Sequence, residues 1–251
     1  MNNLKILCVI PSRIGSTRLP RKPLLPIQGK PMVQLVYENA LACQILSKVI
    51  VATDSEEIAE VIRNINGNVV ITDPNLPTGS DRVAAVAQNY PEMDVIINLQ
   101  GDEPFIKPIM LEQLVAPYLN DLNAERPDMT TLAYEFDEAT KIADYNNPGI
   151  VKVITDLHNN AIYFSRSPIP YFREHKNISV PVYHHLGLYA FKREFLLKYT
   201  KLPNTPLELT ESLEQLRVIE HGFKIKVCLT ESKNKTIEIN TPAEYQSALF
   251  Q

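Results

Sequence analysis

The segment PSRIGSTRLPRKPL at residues 11–24 carries the residue types needed to hold a phosphorylated ligand, and it directly follows an apolar run. Gly15 lets the backbone turn and present N–H groups, while Arg13, Arg18 and Lys22 add positive charge. Arg can bind phosphate oxygens through two parallel hydrogen bonds, whereas Lys acts as a point charge. The segment matches neither G-x-G-x-x-G nor G-x-x-x-x-G-K-[ST], which disfavours dinucleotide binding and P-loop chemistry. The pattern favours a triphosphate-binding loop over a merely solvated basic loop.

The distribution of charge supports an anion site near the N-terminus. No acidic residue precedes Glu38, although six of the 25 basic residues lie there and the chain holds 29 acids. A local excess of positive charge in an otherwise acidic protein attracts an anionic ligand.

The segment NLQGDEP at residues 98–104 follows another apolar run and places Asp102 where a hard cation could bind. Mg²⁺ prefers carboxylate, water and phosphate oxygens. Taken alone, the segment leaves open whether it binds a metal or is only an acidic cap of a helix near Pro108. A polyphosphate loop two strands away favours the magnesium site.

Two further segments are weaker signals. In TGSDRV at residues 78–83, Gly79 and Ser80 could approach a flat base closely, but the start of a helix needs no ligand and that interpretation prevails without other information. His184 and His185 precede an apolar strand, where histidine is more often structural. No G-x-S-x-G or H-E-x-x-H pattern supports a nucleophilic hydrolase or a zinc enzyme.

Apolar runs alternate with helical patterns through the first half of the chain. Strands that are apolar on both faces and separated by helices predict a parallel sheet covered on both sides. The expected strands are residues 5–10, 48–53, 68–72 and 95–100, and the expected helices are residues 31–44, 55–65 (with Ser55 as its cap) and 80–90.

After about residue 125 the pattern becomes mixed, with strands and few long helices. A helix over residues 207–222 is expected to end at Gly222, and residues 241–250 form the last helix. The expected strands are residues 130–136, 149–156, 161–165, 186–191 and 224–229. We expect a single domain over residues 1–251, with a nucleotide-binding part at 1–125 and a second lobe at 126–251.

Composition excludes several classes of protein. The chain has 251 residues, 45% hydrophobic and 22% charged, as in globular proteins. No apolar run is long enough to span a membrane, and the N-terminal stretch is too short for a signal peptide. Cys8, Cys43 and Cys228 stand singly, which suits a reducing cytoplasm and excludes a disulfide scaffold. A net charge of −4 gives no reason to expect nucleic acid as a partner.

Eight motifs in register resemble those of the 3-deoxy-manno-octulosonate cytidylyltransferases, also called CMP-KDO synthetases. The resemblance covers residues 5–245. The sialic acid cytidylyltransferases share the R-x-G-S start but usually have Lys-Gly at positions 17–18. The motifs are R-x-G-S-T-R-L-P-x-K-P-L (13–24), V-A-T-D (51–54), T-G-S-D-R (78–82), N-L-Q-G-D-E-P (98–104), Y-F-S-R-S-P-I-P (163–170), H-L-G-L-Y (185–189), L-E-Q-L-R (213–217) and N-T-P (240–242).

The resemblance implies a Rossmann-like α/β nucleotidyltransferase with a mostly parallel central sheet and a mixed α+β second lobe that forms a homodimer. It implies Mg²⁺-dependent transfer of CMP from CTP to KDO for lipopolysaccharide synthesis, with release of pyrophosphate. By motif, the triphosphate residues are Arg13, Ser16, Thr17, Arg18 and Lys22, and those around cytosine and ribose are Ala52, Asp54, Gly79, Ser80 and Arg82. The sugar residues are Gln100, Arg166, His185, Glu211 and Gln215, and the metal positions are Asp102 and Asn240. Arg13, Lys22 and Asp102 are the expected catalytic residues.

One departure concerns the metal. The last motif of the family normally reads Asp-Thr-Pro, whereas this chain has Asn240 there. Asn keeps a carbonyl oxygen but loses the charge, so either the second metal binds more weakly or Glu238 substitutes. The alternatives for function are a cytidylyltransferase for another sugar acid, such as an amino-substituted KDO or sialic acid, and a weakened nucleotide-binding homologue.

Overall fold

The computed structural model describes the chain as two compact units, each assembled from separate segments. Because the chain crosses between them repeatedly, neither unit is one continuous stretch, and the functional division at residues 125 and 126 stays a prediction. The described residues are 4–15, 18–119, 126–136, 141–173, 181–231 and 238–250. Unit 1 holds Met1–Glu112, Ala190–Thr200 and Thr236–Gln251, and unit 2 holds Gln113–Tyr189 and Lys201–Lys235.

The helices and strands follow the alternation expected from the sequence. The strands are β1 (Ile6–Ser12), β2 (Pro26–Ile27), β3 (Lys30–Pro31), β4 (Lys48–Thr53), β5 (Val69–Ile71), β6 (Val95–Asn98), β7 (Met129–Glu135), β8 (Lys152–Thr155), β9 (Ala161–Ser165), β10 (Tyr183–Lys192) and β11 (Ile225–Leu229). The helices are α1 (Met32–Leu41), α2 (Glu56–Asn64), α3 (Gly79–Ala87), α4 (Pro108–Leu119), α5 (Lys141–Asn146), α6 (Arg193–Tyr199), α7 (Pro206–Glu211), α8 (Leu216–Glu220) and α9 (Pro242–Ala248). Among the described helices, none is both long and apolar enough to cross a bilayer.

The sheet of unit 1 is parallel, as the apolar runs predicted. Strand β1 pairs with β4 and with β6, and β4 pairs with β5, all in parallel. The side chains of β1 from Ile6 to Ile10 are buried, because helices cover both faces of the sheet. Parallel strands end at one edge, so the loops after β1, β4 and β6 meet there. These loops contain most of the candidate nucleotide residues.

Helix α3 begins with a reciprocal cap. The Thr78 hydroxyl accepts a hydrogen bond from the Asp81 backbone N–H at 3.2 Å, and Oδ2 of Asp81 accepts from the Thr78 N–H at 3.1 Å. This capping box satisfies two N–H groups that the helix itself leaves unpaired. Ser55 is the N-cap residue of α2, as predicted, but its side chain forms no capping hydrogen bond within the described residues.

Unit 2 has the mixed character expected of the second half. Strands β7 and β11 pair in parallel, whereas β8 pairs antiparallel with both β9 and β10. The fold class predicted from the sequence, a mostly parallel α/β sheet with a mixed second part, is therefore confirmed.

The predicted helix over residues 207–222 is wrong in one respect, because it is broken into α7 and α8. Ser212 adopts φ 53°, a left-handed conformation that no continuing right-handed helix contains. Leu213 is buried beyond the break, while Leu209 is 66% exposed. The expected stop is confirmed, since Gly222 adopts φ 80° after α8.

A buried ion pair holds α7 against α8. Nε of Arg217 donates to Oε2 of Glu208 at 2.8 Å, and the Nη2 group bonds the other carboxylate oxygen. Glu208 is 4% exposed and Arg217 is 8% exposed. Burial acts to raise the pKa of Glu208, but the hydrogen bonds from Arg217, the Thr205 N–H and Asn204, together with the charge of Arg217, outweigh it and the pKa is lowered. The pair brackets Glu211 and Gln215, two of the candidate sugar residues.

Glu208→Gln removes one charge of this pair and leaves the Arg217 guanidinium buried without its counter-ion. We expect the free energy of unfolding to fall by about 3–5 kcal/mol, the usual cost of removing one partner of a buried ion pair. Urea denaturation at neutral pH measures the loss, and Glu60→Gln on the exposed face of α2 is the matched control. Because the folded-state pKa of Glu208 is lowered, the stabilisation disappears as the pH falls through that pKa. A loss below about 1 kcal/mol, typical of a surface pair, would contradict the assignment.

Candidate active site

The loop after β1 brings its positive charges to the sheet edge. Arg13 and Arg18 are both exposed, which is consistent with the expected binding of an anion. Arg21 adopts φ 56° and forms an ion pair with Glu57 of α2. Arg21 therefore has a left-handed conformation that glycine adopts at less cost than other residues do. Ser16 and Thr17 lie outside the described residues.

Lys22 is the centre of a cluster of polar side chains in unit 1. It begins a 3-10 turn over Lys22–Leu24. Its Nζ donates to Oδ2 of Asp102 at 2.6 Å and to Oδ1 of Asn240 at 3.0 Å. The side chains of Lys22 and Asp102 are only 17% and 15% exposed. Lys22 and Asp102, two of the expected catalytic residues, therefore lie together with Asn240, where this chain differs from the family motif. The three residues are far apart in the sequence.

Asp102 is held in place by close backbone packing. A Cβ at Gly101 would lie 2.5 Å from Oγ of Ser12 and 2.9 Å from the backbone oxygen of Pro11, so only glycine fits there. The backbone oxygen of Asp102 accepts a hydrogen bond from the N–H of Ile239 at 3.0 Å. These contacts set the carboxylate beside the end of β1 and beside the C-terminal segment.

Asn240 has an amide orientation that its neighbours determine. Its Oδ1 accepts from Lys22 at 3.0 Å and from Nη2 of Arg18 at 3.3 Å. Its Nδ2 donates to Oε1 of Glu238 at 2.5 Å. Two cations require an acceptor and a carboxylate requires a donor, so the opposite amide orientation is excluded. Desolvation and the nearby Asp102 carboxylate raise the pKa of Glu238.

The cluster has the donor chemistry that a hard cation needs. Oδ1 of Asp102 is buried and has no hydrogen-bond partner among the described residues. A buried carboxylate oxygen without a partner is costly unless a ligand completes it. Within the described ranges, no group of three or more His, Cys, Asp and Glu side chains comes together. Mg²⁺ is commonly held by one or two carboxylates together with water and substrate phosphates.

The residues expected around cytosine and ribose form a network of their own in unit 1. Asp54 accepts the Ile14 N–H at 3.3 Å through Oδ1, and its Oδ2 accepts from Nη2 of Arg82 at 3.3 Å. Arg82 is 3% exposed and also donates to the Thr72 hydroxyl. Asp54 and Arg82 therefore tie the phosphate loop to α3 and β4. Thr72 was missed by the sequence analysis, since an isolated Thr after a strand gives no signal.

The small residues expected around cytosine and ribose are Ala52, Gly79 and Ser80. Ala52 is fully buried in β4. A Cβ at Gly79 would lie 3.5 Å from Cγ of Pro11, which is ordinary contact. The Ser80 hydroxyl accepts from Nδ2 of Asn98 at 3.4 Å. Gln100, expected at the sugar, donates to Oδ1 of Asn98 at 3.4 Å, and like the others it belongs to unit 1.

In unit 2, Arg166 and Glu211 lie together. Nε of Arg166 donates to the backbone oxygen of Glu211 at 2.8 Å, Nη1 donates to that of Pro148 at 3.1 Å, and Nη2 to that of Ser212 at 3.5 Å. Each terminal nitrogen of a guanidinium carries two hydrogens, so one N–H on each remains for a ligand. The Glu211 carboxylate accepts from the Arg166 backbone N–H at 2.9 Å and from the Ser165 hydroxyl at 2.6 Å.

Lys152, which the sequence analysis did not single out, supports this arrangement through a hydrogen bond to the backbone of Arg166. It is fully buried, and its ammonium donates to the backbone oxygens of Asn147 at 3.0 Å, Ile150 at 2.7 Å and Arg166. Desolvation lowers the pKa of Lys152. Three carbonyls match the three donors of an ammonium, which makes its burial tolerable.

His185 and Gln215 are two further buried polar residues of unit 2. Burial, aided by His184, lowers the pKa of His185 to about 3. Gln215 is 3% exposed, and its Oε1 accepts from the Tyr189 hydroxyl at 3.1 Å. Its Nε2 is buried without a partner in the described part of the chain. A buried donor of this kind could donate a hydrogen bond to an oxygen of a ligand.

Comparison with known proteins agrees with this geometry. A family model described as cytidylyltransferase matches residues 7–226. The 3-deoxy-manno-octulosonate cytidylyltransferase of Acaryochloris marina is 51% identical, with 98% of this chain and 96% of the relative covered. That of Synechococcus elongatus is 45% identical, with coverages of 98% and 97%.

Solved structures give the same answer. The structure of CMP:2-keto-3-deoxy-manno-octonic acid synthetase complexed with CTP has a TM-score of 0.89 and 37% identity, covering 98% of this chain and 97% of that chain. A 4-diphosphocytidyl-2C-methyl-D-erythritol synthase from Anaerococcus prevotii, at 13% identity and a TM-score of 0.62, shares the fold alone. The chain belongs to the cytidylyltransferase family, and within it to the 3-deoxy-manno-octulosonate cytidylyltransferases.

Proposed function

We propose that this enzyme transfers CMP from CTP to 3-deoxy-manno-octulosonate, with release of pyrophosphate. The observation that carries the proposal is the cluster of Lys22, Asp102 and Asn240 at the carboxyl edge of the unit 1 sheet. In this family fold the edge is where a nucleotide binds. The activated sugar would serve lipopolysaccharide synthesis.

The reaction is a displacement at the α-phosphorus. The anomeric hydroxyl of the sugar acid attacks and forms a bond to the α-phosphorus. The bond from that phosphorus to the oxygen bridging the β-phosphate breaks, pyrophosphate leaves with the electron pair, and the hydroxyl proton passes to solvent. Such transfers depend on positioning and charge neutralisation rather than on covalent catalysis. Arg13, Arg18 and Lys22 would bind the phosphates, and the Lys22 ammonium would offset charge on departing pyrophosphate.

Asp102 is the residue that would hold Mg²⁺, since Oδ1 is buried without a partner among the described residues. The ion would supply charge neutralisation at the phosphates when bound. The chain's own contribution is to fix Asp102, through Gly101 and the Ile239 hydrogen bond, beside the Lys22 ammonium.

We propose that Glu238 replaces the negative charge that Asn240 lacks. Asn240 turns its Nδ2 toward Glu238 and its Oδ1 toward Lys22, so the four side chains from Glu238 to Asp102 form one connected chain of contacts. Residues 238 and 240 flank Ile239, which is fully buried. The carboxylate is thus displaced by two residues, rather than lost.

The sugar acid would bind to the residues of unit 2. The two remaining N–H groups of Arg166 suit a carboxylate, since guanidinium and carboxylate pair through parallel hydrogen bonds. The unpartnered Nε2 of Gln215 suits a hydroxyl oxygen.

Two further properties complete the proposal. Leu157, Ile162 and Leu229 of unit 2 are apolar side chains exposed at 101%, 52% and 43%, and we propose that a homodimer covers them. Light scattering should then give twice the mass of the chain. The three cysteines are free thiols, which supports a cytoplasmic location.

The direct experiment measures pyrophosphate release with CTP, Mg²⁺ and a panel of sugar acids. We expect KDO to give the highest kcat/KM, ahead of an amino-substituted KDO and of sialic acid. Binding of CTP without release of pyrophosphate for any sugar acid would contradict the proposal and favour the weakened nucleotide-binding homologue.

Lys22→Met removes the ammonium while keeping a side chain of similar length. We expect kcat/KM to fall by about 10²–10³-fold, the usual effect of removing a group that stabilises developing charge. Lys30→Met is the matched control, because Lys30 is exposed and pairs with Glu38 at the surface. Equal activity of the two variants would exclude a catalytic role for Lys22.

Moving the carboxylate from position 238 to position 240 tests whether Glu238 supplies the missing negative charge. We expect Glu238→Gln to weaken Mn²⁺ binding in the presence of CTP by about tenfold, as loss of one metal-site partner does. The double variant Glu238→Gln with Asn240→Asp restores the charge two residues away and should restore the affinity. Electron paramagnetic resonance of Mn²⁺ measures binding without turnover, and Glu92→Gln is an exposed control. An unchanged affinity in Glu238→Gln would show that Asn240 suffices by itself.

A further inference from the structure

A buried hydroxyl in unit 2 contacts His185 and has no role in the site described so far. Thr131 lies on β7 and is fully buried. Its Oγ1 lies 2.9 Å from Nε2 of His185 on β10. The same Oγ1 lies 2.8 Å from the backbone oxygen of Leu188 and 3.3 Å from that of Leu186. Three groups therefore surround one hydroxyl.

A hydroxyl has a single hydrogen, and this decides the protonation of the imidazole. The carbonyl oxygens of Leu186 and Leu188 can only accept, so the Thr131 hydrogen goes to the nearer one, Leu188. The Thr131 oxygen can then only accept from His185, which requires a hydrogen on Nε2. If the hydroxyl instead donated to Nε2, both carbonyls would lose this donor.

The neutral imidazole has one N–H and one lone-pair nitrogen, so a hydrogen on Nε2 leaves Nδ1 as an acceptor. Burial keeps the ring neutral, because the pKa of His185 is lowered to about 3. The face of the ring is also restrained, since Phe164 contacts it edge-on with ring centroids 4.8 Å apart. The rotation and the tautomer of His185 are thus both determined by neighbours.

We propose that Thr131 is a positioning residue, which holds His185 in the Nε2–H tautomer so that Nδ1 accepts a hydrogen bond from a hydroxyl of the sugar acid. The inference rests on the proposed function, in which His185 is a sugar residue. It assigns the direction of that hydrogen bond and names the group that sets it.

A second observation indicates that a ligand belongs beside this ring. Tyr189 lies next to His185, with ring centroids 5.6 Å apart, and its hydroxyl donates to Oε1 of Gln215. Nε2 of Gln215 is buried without a partner among the described residues. Tyr189 thus connects His185, which would supply an acceptor, with Gln215, which would supply a donor. A polyol can satisfy both, because each hydroxyl donates once and accepts.

The tautomer can be read directly by nitrogen NMR of the full-length protein labelled with ¹⁵N-histidine. We expect the wild type to show a hydrogen on Nε2 and none on Nδ1 of His185, with the resonance assigned by its loss in His185→Gln. Thr131→Ser keeps the hydroxyl and should give the same tautomer. Thr131→Val has nearly the same shape without the hydroxyl, and its imidazole should show both tautomers.

Kinetics then connect the tautomer to the sugar. We expect Thr131→Val to raise the KM for KDO by about tenfold, the value of one hydrogen bond of ~1.4 kcal/mol, while the KM for CTP stays within about twofold. Thr131→Ser should keep both constants, and melting temperatures check that the variants fold.

A hydrogen on Nδ1 in the wild type would overturn the inference, whatever the enzyme's activity. So would an unchanged KM for KDO in Thr131→Val. Absence of turnover in the wild type would instead overturn the proposed function, while the NMR measurement would still report the tautomer.

Discussion

The contact between the Lys22 ammonium and the Asp102 carboxylate governs the arrangement of unit 1 around the nucleotide site. Both charges are mostly removed from water, so each would be costly without the other. Asn240 shares the ammonium and adds the C-terminal segment to the pair. Three segments that are far apart in the sequence, the loop after β1, the loop after β6 and the segment before α9, are therefore held at one edge of the sheet. An incoming triphosphate would meet an already assembled set of charges.

Unit 2 also contains buried charges, and one of them, the ammonium of Lys152, is stabilised by uncharged partners. The Lys152 ammonium is fully buried among backbone oxygens, one of which belongs to Arg166. Arg166 in turn donates three hydrogen bonds to backbone oxygens, those of Glu211, Pro148 and Ser212. The Glu208–Arg217 pair closes the break between α7 and α8. Buried charge that is fully hydrogen-bonded fixes the direction of side chains more tightly than apolar packing does. The residues proposed to bind the sugar thereby have defined orientations.

Much of the fold could be predicted, because it depends on local patterns. Strand β4 occupies the predicted residues, and the parallel pairing followed from strands that are apolar on both faces. The break at Ser212 could not be predicted, because the apolar spacing of residues 207–222 suits a continuous helix, whereas the Arg217–Glu208 bond across the break is a contact that this spacing does not encode. Likewise, the hydrogen bond between Asp54 and Arg82 could not be predicted, because it joins residues 28 positions apart. That both residues lie near the nucleotide stays a prediction.

The sequence by itself determined the α/β class, the position of the basic loop, the family and the departure at Asn240, because each is written in the order and type of neighbouring residues. Only the tertiary structure decided which side chains Asn240 contacts. Glu238 is two residues from Asn240, yet its relation to Asp102 and Lys22 depends on how the C-terminal segment contacts the loops after β1 and β6. The tautomer of His185 was decided in the same way, since it depends on one hydroxyl of β7 and one carbonyl of β10. Hydrogen bonds between distant segments have directions that no local pattern encodes.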